Sequence, residues 1–395
     1  MYVEHLSLTD FRSYAQVDVE LGPGVTVLVG SNGLGKTNLV EAIGYLATLG
    51  SHRVSSDVPL LRFGTEQAMI RAMIVRGAQK TLLEVEINSG RANRGRINRA
   101  NPVRARELLG ICRTVLFAPE DLALVKSDPS HRRRFLDDLL VSLLPRHAAT
   151  RSDFERVLKQ RNALLKSARA GKFSSGHEAT LEVWDQHMAA AGAQLLRARL
   201  DLVERLRPHV ARAYAELTEG PKEARIDYRS TLSGPLTDDG NAEGATAGEA
   251  ADLAGLSVPE LTERYLVAFA AARRRELERG ISLVGPHRDE LDLILGGAPA
   301  RGFASHGETW SMALSLRLGS YYVFLEDAPA EGQSPVLILD DVFAELDVQR
   351  RERLAGIVAG AEQVLVTAAV EADIPDKLDG RRIAVVPGGI DEGQR

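Results

Sequence analysis

The chain opens with two stretches, residues 2–8 and 17–21, in which apolar and polar side chains alternate as they do along half-buried strands. After a turn at Gly22, Pro23 and Gly24, residues 25–29 form a short β-rich run, and residues 36–49 switch to helical spacing. Residues 68–75 and 81–87 predict a hairpin, and 114–117 another strand. From about residue 121 the period lengthens, predicting helices over 131–144, 150–168 and 180–217. In the last of these Leu181, Trp184, Met188, Leu195, Leu196, Val203 and Leu206 make the stripe of a helix packed on other helices. Residues 237–256 are poor in large apolar side chains and predict a mobile surface insertion. Helical spacing resumes over 258–279, followed by strand-like segments at 281–284, 291–295, 336–339, 363–366 and 383–386.

This β-rich, helical, β-rich order predicts an α/β head built from the two ends of the chain, residues 1–120 and 281–395, interrupted by an inserted helical lid or arm over 121–280. The length of 395 residues suffices for two or three domains with sizeable cores. No apolar run is long enough to span a membrane, and the first residues lack the basic-then-apolar layout of a signal peptide. A single cysteine, Cys112, excludes an intramolecular disulfide and a multi-cysteine zinc site. These features predict a cytoplasmic protein without a membrane partner. The formal net charge of −5 announces no nucleic acid, so any such contact has to come from local basic clusters.

Residues Gly30-Ser31-Asn32-Gly33-Leu34-Gly35-Lys36-Thr37 satisfy every fixed position of a phosphate loop, between a predicted strand and a predicted helix. Glycines let backbone N–H groups turn toward phosphates, and the helix N-terminus adds its dipole. Lys36 is expected on the β- and γ-phosphates of ATP, and the Thr37 hydroxyl on Mg²⁺. Far downstream, the apolar run Val336-Leu337-Ile338-Leu339 ends in Asp340 and Asp341. Asp340 is the expected second magnesium contact, and Asp341 stands where a carboxylate orients or deprotonates the attacking water, with Glu345 as its rival. Between these halves Ser305-His306-Gly307-Glu308 precedes a helical run, offering a second anion-binding helix start or an ordinary cap. A complete phosphate loop leaves this second grip for the nucleotide of another copy of the chain.

Three basic clusters could meet DNA phosphates. Arg91, Arg94, Arg96, Arg99, Arg104 and Arg106 crowd one stretch interleaved with asparagines, Arg132-Arg133-Arg134 begins a helix, and Arg273-Arg274-Arg275 lies inside one. Consecutive helical arginines cannot all face one way, so each triplet divides between packing and solvent. The first cluster, with Arg91, Arg94, Arg96 and Arg99 foremost, is the strongest, followed by Arg132 and Arg133. The lack of interleaved aromatics favours duplex backbone contact over single-strand stacking.

The order of phosphate loop, helical insertion, Ser-x-Gly segment, acidic strand and Glu345-Leu346-Asp347 resembles the ABC-type ATPase heads of the Rad50 and SMC class. The nearer resemblance is to the RecF family of bacterial recombination mediators. It is carried by Asp10-Phe11-Arg12-Ser13-Tyr14, the phosphate loop through Asn38, Phe117-Ala118-Pro119-Glu120-Asp121-Leu122, Arg132-Arg133-Arg134-Phe135-Leu136-Asp137, Gly285-Pro286-His287-Arg288-Asp289 and Leu339-Asp340-Asp341-Val342-Phe343-Ala344-Glu345-Leu346-Asp347. The short interval between the loop and Ser305 separates the chain from its long-coiled relatives. The resemblance implies that Arg12 touches nucleotide phosphates, Ser305 and Gly307 cap the γ-phosphate held by a second protomer, Asp347 lies at the dimer seam, Thr367 senses the γ-phosphate, and Glu120 links ATP to the arm. It further implies a slow, DNA-stimulated ATPase used as a switch. Such a protein forms an ATP-dependent homodimer on duplex DNA near single-strand gaps, and acts with RecR and RecO to load RecA in repair and the SOS response. A transport-type ABC subunit, an SMC-like structural clamp and a P-loop kinase are the competing readings; the long internal arm and the remote carboxylate pair disfavour the first and last.

Overall fold

The computed structural model describes residues 1–172, 175–234, 253–327 and 332–391. In chain order the elements are β1 (Tyr2–Phe11), β2 (Tyr14–Glu20), β3 (Gly24–Val29), α1 (Lys36–Thr48), β4 (Gln67–Arg76), β5 (Gln79–Asn88), β6 (Arg94–Ile97), β7 (Val103–Arg104) and β8 (Thr114–Phe117). Then come α2 (Pro129–Leu143), α3 (His147–Ser167), α4 (Ser175–Leu217), β9 (Ala224–Arg229), α5 (Val258–Arg279), β10 (Glu290–Leu295) and β11 (Ala298–Pro299). The chain closes with α6 (His306–Asp327), β12 (Val336–Asp340), α7 (Val348–Val358), β13 (Gln363–Ala368), β14 (Arg381–Val386) and β15 (Gly389–Asp391). They divide into two compact units, one of Met1–Leu122, His209–Pro221 and Ser305–Arg395, the other of Ala123–Pro208 and Lys222–Ala304. The second unit therefore gives up 209–221 and takes in 281–304, which the sequence reading placed in the head. The expected mobile insertion at 237–256 lies outside the described residues except for 253–256.

The first unit joins both ends of the chain in one core. Its six-stranded sheet β15-β14-β3-β13-β12-β8 is parallel except at β15, and a second sheet, β2-β1-β4-β5-β6-β7, is antiparallel. A parallel strand covered on both faces reads as a continuous apolar run, and all five residues of β12 are buried. The antiparallel strands alternate instead, as in β4 with its Ala68, Ile70, Ala72 and Ile74 inward. Helix α1 sends Leu39, Val40, Ile43 and Leu46 into a cluster shared with Leu6, Leu8 and Ile70 of one sheet and Leu28, Ile338 and Leu365 of the other. Burial of that order, about 1.5–3 kcal/mol per large side chain, is what makes two distant chain segments one domain. The amino group of Met1 is fixed in the same way, donating to Glu362 and to the Ser334 carbonyl.

The second unit is helical but carries its own three-stranded sheet, β11-β10-β9. Buried charges hold it together. Arg161 donates to Asp185, Glu276 and Ser282, and Arg199 donates to both oxygens of Asp137 and to the Pro286 carbonyl. Asp289 accepts from Tyr228 Oη, Thr231 N and Thr231 Oγ1. Residues 281–284 are not the strand their composition predicts: the amides of Ser282 and Leu283 donate to Asn162 Oδ1 and Glu276 Oε1, side chains in place of a ladder. The Gly285-Pro286-His287-Arg288-Asp289 motif thus serves as a packing knot, in which Gly285 takes φ 133° and a Cβ would meet His287 Nδ1 at 3.0 Å.

Candidate nucleotide site and basic hairpin

The phosphate loop leaves β3 and enters α1 through Gly35, at φ 108°, where an added Cβ would meet Tyr14 Oη at 2.7 Å. Only glycine fits both constraints. The first turn of α1 carries no acidic residue, so its N-terminal dipole is left for an external anion. Ser31, Asn32 and Gly33 are exposed, Leu34 half-buried. Lys36 is buried and folds back on the loop, donating from Nζ to the carbonyls of Gly30 at 2.7 Å and Ser31 at 3.3 Å.

Strand β13 lies between β3 and β12, and the register pairs Asp340 with Thr367 and Thr367 with Leu28. This brings the remote carboxylates to the loop: Thr37 Oγ1 donates to Asp340 Oδ1 at 2.9 Å, across 303 residues of sequence. Thr367 Oγ1 donates to the same oxygen at 2.7 Å and accepts from the Asp341 amide at 2.9 Å. Asp341 itself stands at φ 52°, a left-handed conformation unusual outside glycine, and the strain sits at the end of the strand where a functional carboxylate is expected. Burial raises the Asp341 pKa above the ordinary carboxylate value, and the neighbouring charge of Asp340 adds to it. Glu120, exposed, is close enough to contribute in the same direction. A hydroxyl and a carboxylate oxygen 2.9 Å apart are hard donors suited to Mg²⁺. The buried Nε2 of His52, 3.6 Å from Asp340 Oδ2 and without a hydrogen-bond partner, gives that end of the site a further unspent polar atom.

Around the loop a second network centres on Glu41, which is fully buried. Arg12 donates to it from Nε at 2.9 Å and Nη2 at 2.6 Å, and Ser51 Oγ donates at 2.5 Å. Arg12 also donates to the Pro59 carbonyl, so three of its five N–H groups are spent within the fold. Asn38 bridges Ser13 Oγ and Arg53.

Ser305 and Gly307 begin α6. Ser305 Oγ accepts from the Glu308 amide at 3.3 Å while Glu308 returns a carboxylate oxygen to the Ser305 amide at 2.9 Å, a capping box. Arg350 lies over this turn: a Cβ on Gly307 would meet its Nη1 at 2.9 Å, and its Nε donates to Ser311 Oγ. Asp347 caps α7 through the Arg350 amide and pairs with the Arg350 guanidinium. Glu345 is exposed beside it. The chemistry missed in the sequence comprises His52, Glu41, Asp121 and Arg350. Asp121 accepts from the Ala118 amide and from Arg317 of α6, tying the segment after β8 to the helix that Ser305 starts. The only signal for His52 was its place in Ser51-His52-Arg53, just past the helix that follows the phosphate loop.

The arginine-rich stretch is a hairpin of β6 and β7 on the edge of the antiparallel sheet. Arg94 pairs directly opposite Arg104, and two like charges facing across a ladder destabilise it. Among the described residues Arg94, Arg96, Arg99, Arg104 and Arg106 are exposed and have no ion-pair partner, whereas Arg91 bonds Asn88 and Glu86. The asparagines serve the backbone: Asn93 Oδ1 accepts from the Asn88 amide and Asn98 Oδ1 from Leu82. The triplets fare differently. Arg132 is buried, paired with both oxygens of Glu290 at 2.8 Å and donating to the Leu124 carbonyl, so the expectation that it contacts DNA is corrected. Arg133 is half-buried and commits Nη1 to the Asp289 carbonyl, which withdraws it as a leading candidate too. Arg273 and Arg274 pair with Asp185 and Glu278.

A family profile described as RecF/RecN/SMC N terminal domain matches residues 2–376. A protein of Arthrobacter sp. (strain FB24) named DNA replication and repair protein RecF is 75% identical, with both chains covered in full. One of the same name from Streptomyces avermitilis is 55% identical over 99% of this chain and all of its own. A solved structure described as the recombination mediator protein RecF-ATP in the RecFOR pathway superimposes with a TM-score of 0.84 at 25% identity, covering 100% of this chain and 98% of its own. No described helix is long and apolar enough to cross a membrane. With an ABC-type α/β head split by an inserted unit, and with this kinship over its whole length, the chain belongs to the RecF family of DNA replication and repair proteins.

Proposed function

We propose that this protein is a cytoplasmic ATP-dependent DNA-binding switch of recombinational repair. In this reading ATP and Mg²⁺ occupy the site between the phosphate loop and Asp340, and a second copy of the chain closes it. The observation that carries the reading is the 2.9 Å contact of Thr37 with Asp340, which brings the phosphate loop and the acidic strand together from the two ends of the chain. Lys36 leaves the carbonyls of Gly30 and Ser31 for the β- and γ-phosphates, and the loop amides with the start of α1 hold the remaining oxygens. Thr37 and Asp340 would hold Mg²⁺, which would supply neutralisation of phosphate charge. Asp341 orients the attacking water and accepts its proton. Glu345 is the alternative for that role. Ser305 and Gly307 complete the site of the partner protomer, with Asp347 at the seam, Arg12 on the phosphates, Thr367 relaying the state of Asp340 to Asp341, and Glu120 near the water.

The unpaired arginines Arg94, Arg96 and Arg99, with Arg91 beside them, suit the phosphates of duplex DNA, and the facing charges of Arg94 and Arg104 are relieved by a polyanion. Slow hydrolysis, stimulated by gapped duplex, then releases the protein, which acts with RecR and RecO and through them on RecA. Light scattering with and without ATP tests the assembly: ATP is expected to convert monomer to dimer, and Ser305→Arg to abolish this while one protomer still binds ATP. A dimer unchanged in that variant refutes the trans site.

A further inference from the structure

His52 carries one of the buried polar atoms of the first unit that lack a hydrogen-bond partner. Its side chain is 14% exposed, and Nε2 is buried without a hydrogen-bond partner, 3.6 Å from Asp340 Oδ2. A buried polar nitrogen left unmatched destabilises the fold, so its retention against a carboxylate calls for a reason. The ring is not loosely placed. Ser51 Oγ, on one side of it, donates to Glu41 and accepts from the amides of Arg53 and Val54; Arg53, on the other side, donates to Asn38 Oδ1. Both anchors lie on α1, the helix that the phosphate loop starts.

The two oxygens of Asp340 are served unequally. Oδ1 takes the hydroxyls of Thr37 and Thr367 at 2.9 and 2.7 Å, while His52 Nε2 stands 3.6 Å from Oδ2. With Oδ1 accepting two hydrogen bonds and Oδ2 accepting none from the described residues, the carboxylate can turn about Oδ1. A metal ligand that rotates loses affinity, and outer partners that stop the rotation are worth roughly 10–100-fold in metal binding.

Resting on the nucleotide-site reading, we propose that His52 is a positioning residue for the magnesium end of the site: its Nε2 holds Asp340 Oδ2, so that Oδ1 keeps the orientation Thr37 and Thr367 give it. The partner is a divalent cation delivered with nucleotide, and the residue acts through Asp340 without touching the reacting atoms.

The test measures binding, not turnover. Affinity for a fluorescent N-methylanthraniloyl derivative of ATP is measured on the full chain in Mg²⁺ and in EDTA, for the wild type, His52→Phe, His52→Leu and His52→Gln. The apolar variants are expected to lose about tenfold or more of the Mg²⁺-dependent gain in affinity while the EDTA value stays unchanged. His52→Gln, whose amide reaches a place similar to Nε2, is expected to restore the gain to within about threefold. Thermal melting confirms that each variant is folded, and the smaller leucine replaces phenylalanine if the larger ring does not fit. An unchanged gain in both apolar variants, an equal loss with and without Mg²⁺, or a glutamine no better than leucine overturns the proposal. Failure of the wild type to bind the probe in either condition refutes the nucleotide site itself, and the role of His52 with it.

Discussion

Removing Glu41 should unfold the head more readily than removing any surface carboxylate. Its side chain is wholly buried and takes two donors from Arg12 and one from Ser51, with Arg53 at 3.6 Å. In Glu41→Ala the Arg12 guanidinium keeps only the Pro59 carbonyl in a site 15% exposed. Breaking a buried pair on one side costs about 3–5 kcal/mol, and the partial access of Arg12 to water places the value near the lower end, about 3 kcal/mol. With a urea dependence of about 1–3 kcal/mol per molar, the midpoint falls by roughly 1–3 M. The assay is nucleotide-free urea unfolding in a Trp184→Phe background, which leaves Trp310, buried in the first unit, as the sole tryptophan. Adding Arg12→Met to Glu41→Ala should recover part of the loss, because the unpaired charge is then gone. A loss below about 1 kcal/mol, the worth of an exposed pair, or no recovery in the double variant refutes the claim that a buried charge hub supports the loop.

Three further outcomes follow from the same geometry. Asp341→Asn should slow hydrolysis about a hundredfold or more and raise the stability of the nucleotide-free protein at neutral pH. The sign comes from a folded-state pKa above the ordinary carboxylate value: the wild-type carboxyl favours the fold while protonated and loses that contribution as pH rises, so the variant's advantage disappears in acid, as melting curves at acid and neutral pH will show. Arg96→Glu and Arg104→Glu should each lower the salt dependence of duplex binding by roughly one charge or more, read from affinity against salt, whereas Arg132→Ala should leave that slope unchanged and cost the second unit about 3–5 kcal/mol. Burial pushes His287 down to about 3, so the second unit should lose stability as pH falls below the ordinary imidazole value of 6.5; His287→Gln should flatten that loss in hydrogen exchange of α5.

The phosphate loop and the acidic strand were legible because their chemistry fixes residue types at fixed spacing and their strands are buried on both faces. Much of the rest depends on which charge meets which. Arg132 and Arg96 are alike in sequence, each set among other arginines, yet one lies against Glu290 and the other in water. That choice is made by partners 158 residues away in one case and absent in the other. Residues 281–284 have strand composition, but side chains from α3 and α5 reach their amides first. Nothing local in the sequence predicts that Arg12, at φ 54°, turns back onto Glu41. Local pattern gives elements; a buried ion pair is a long-range fact.

The place of β3 between β13 and β14 has a consequence for synthesis. Both of its neighbours are made last, so the strand that launches the phosphate loop has no partner in its sheet until the ribosome passes residue 363. At 5–20 residues per second this interval lasts on the order of 20–70 s. The second unit, complete by Ala304, can fold while the first half of the head still waits. A nascent chain arrested anywhere before β13 therefore carries the whole phosphate loop and no formed nucleotide site. The strand order thus delays the meeting of Thr37 with Asp340 until β12 and β13 have been made.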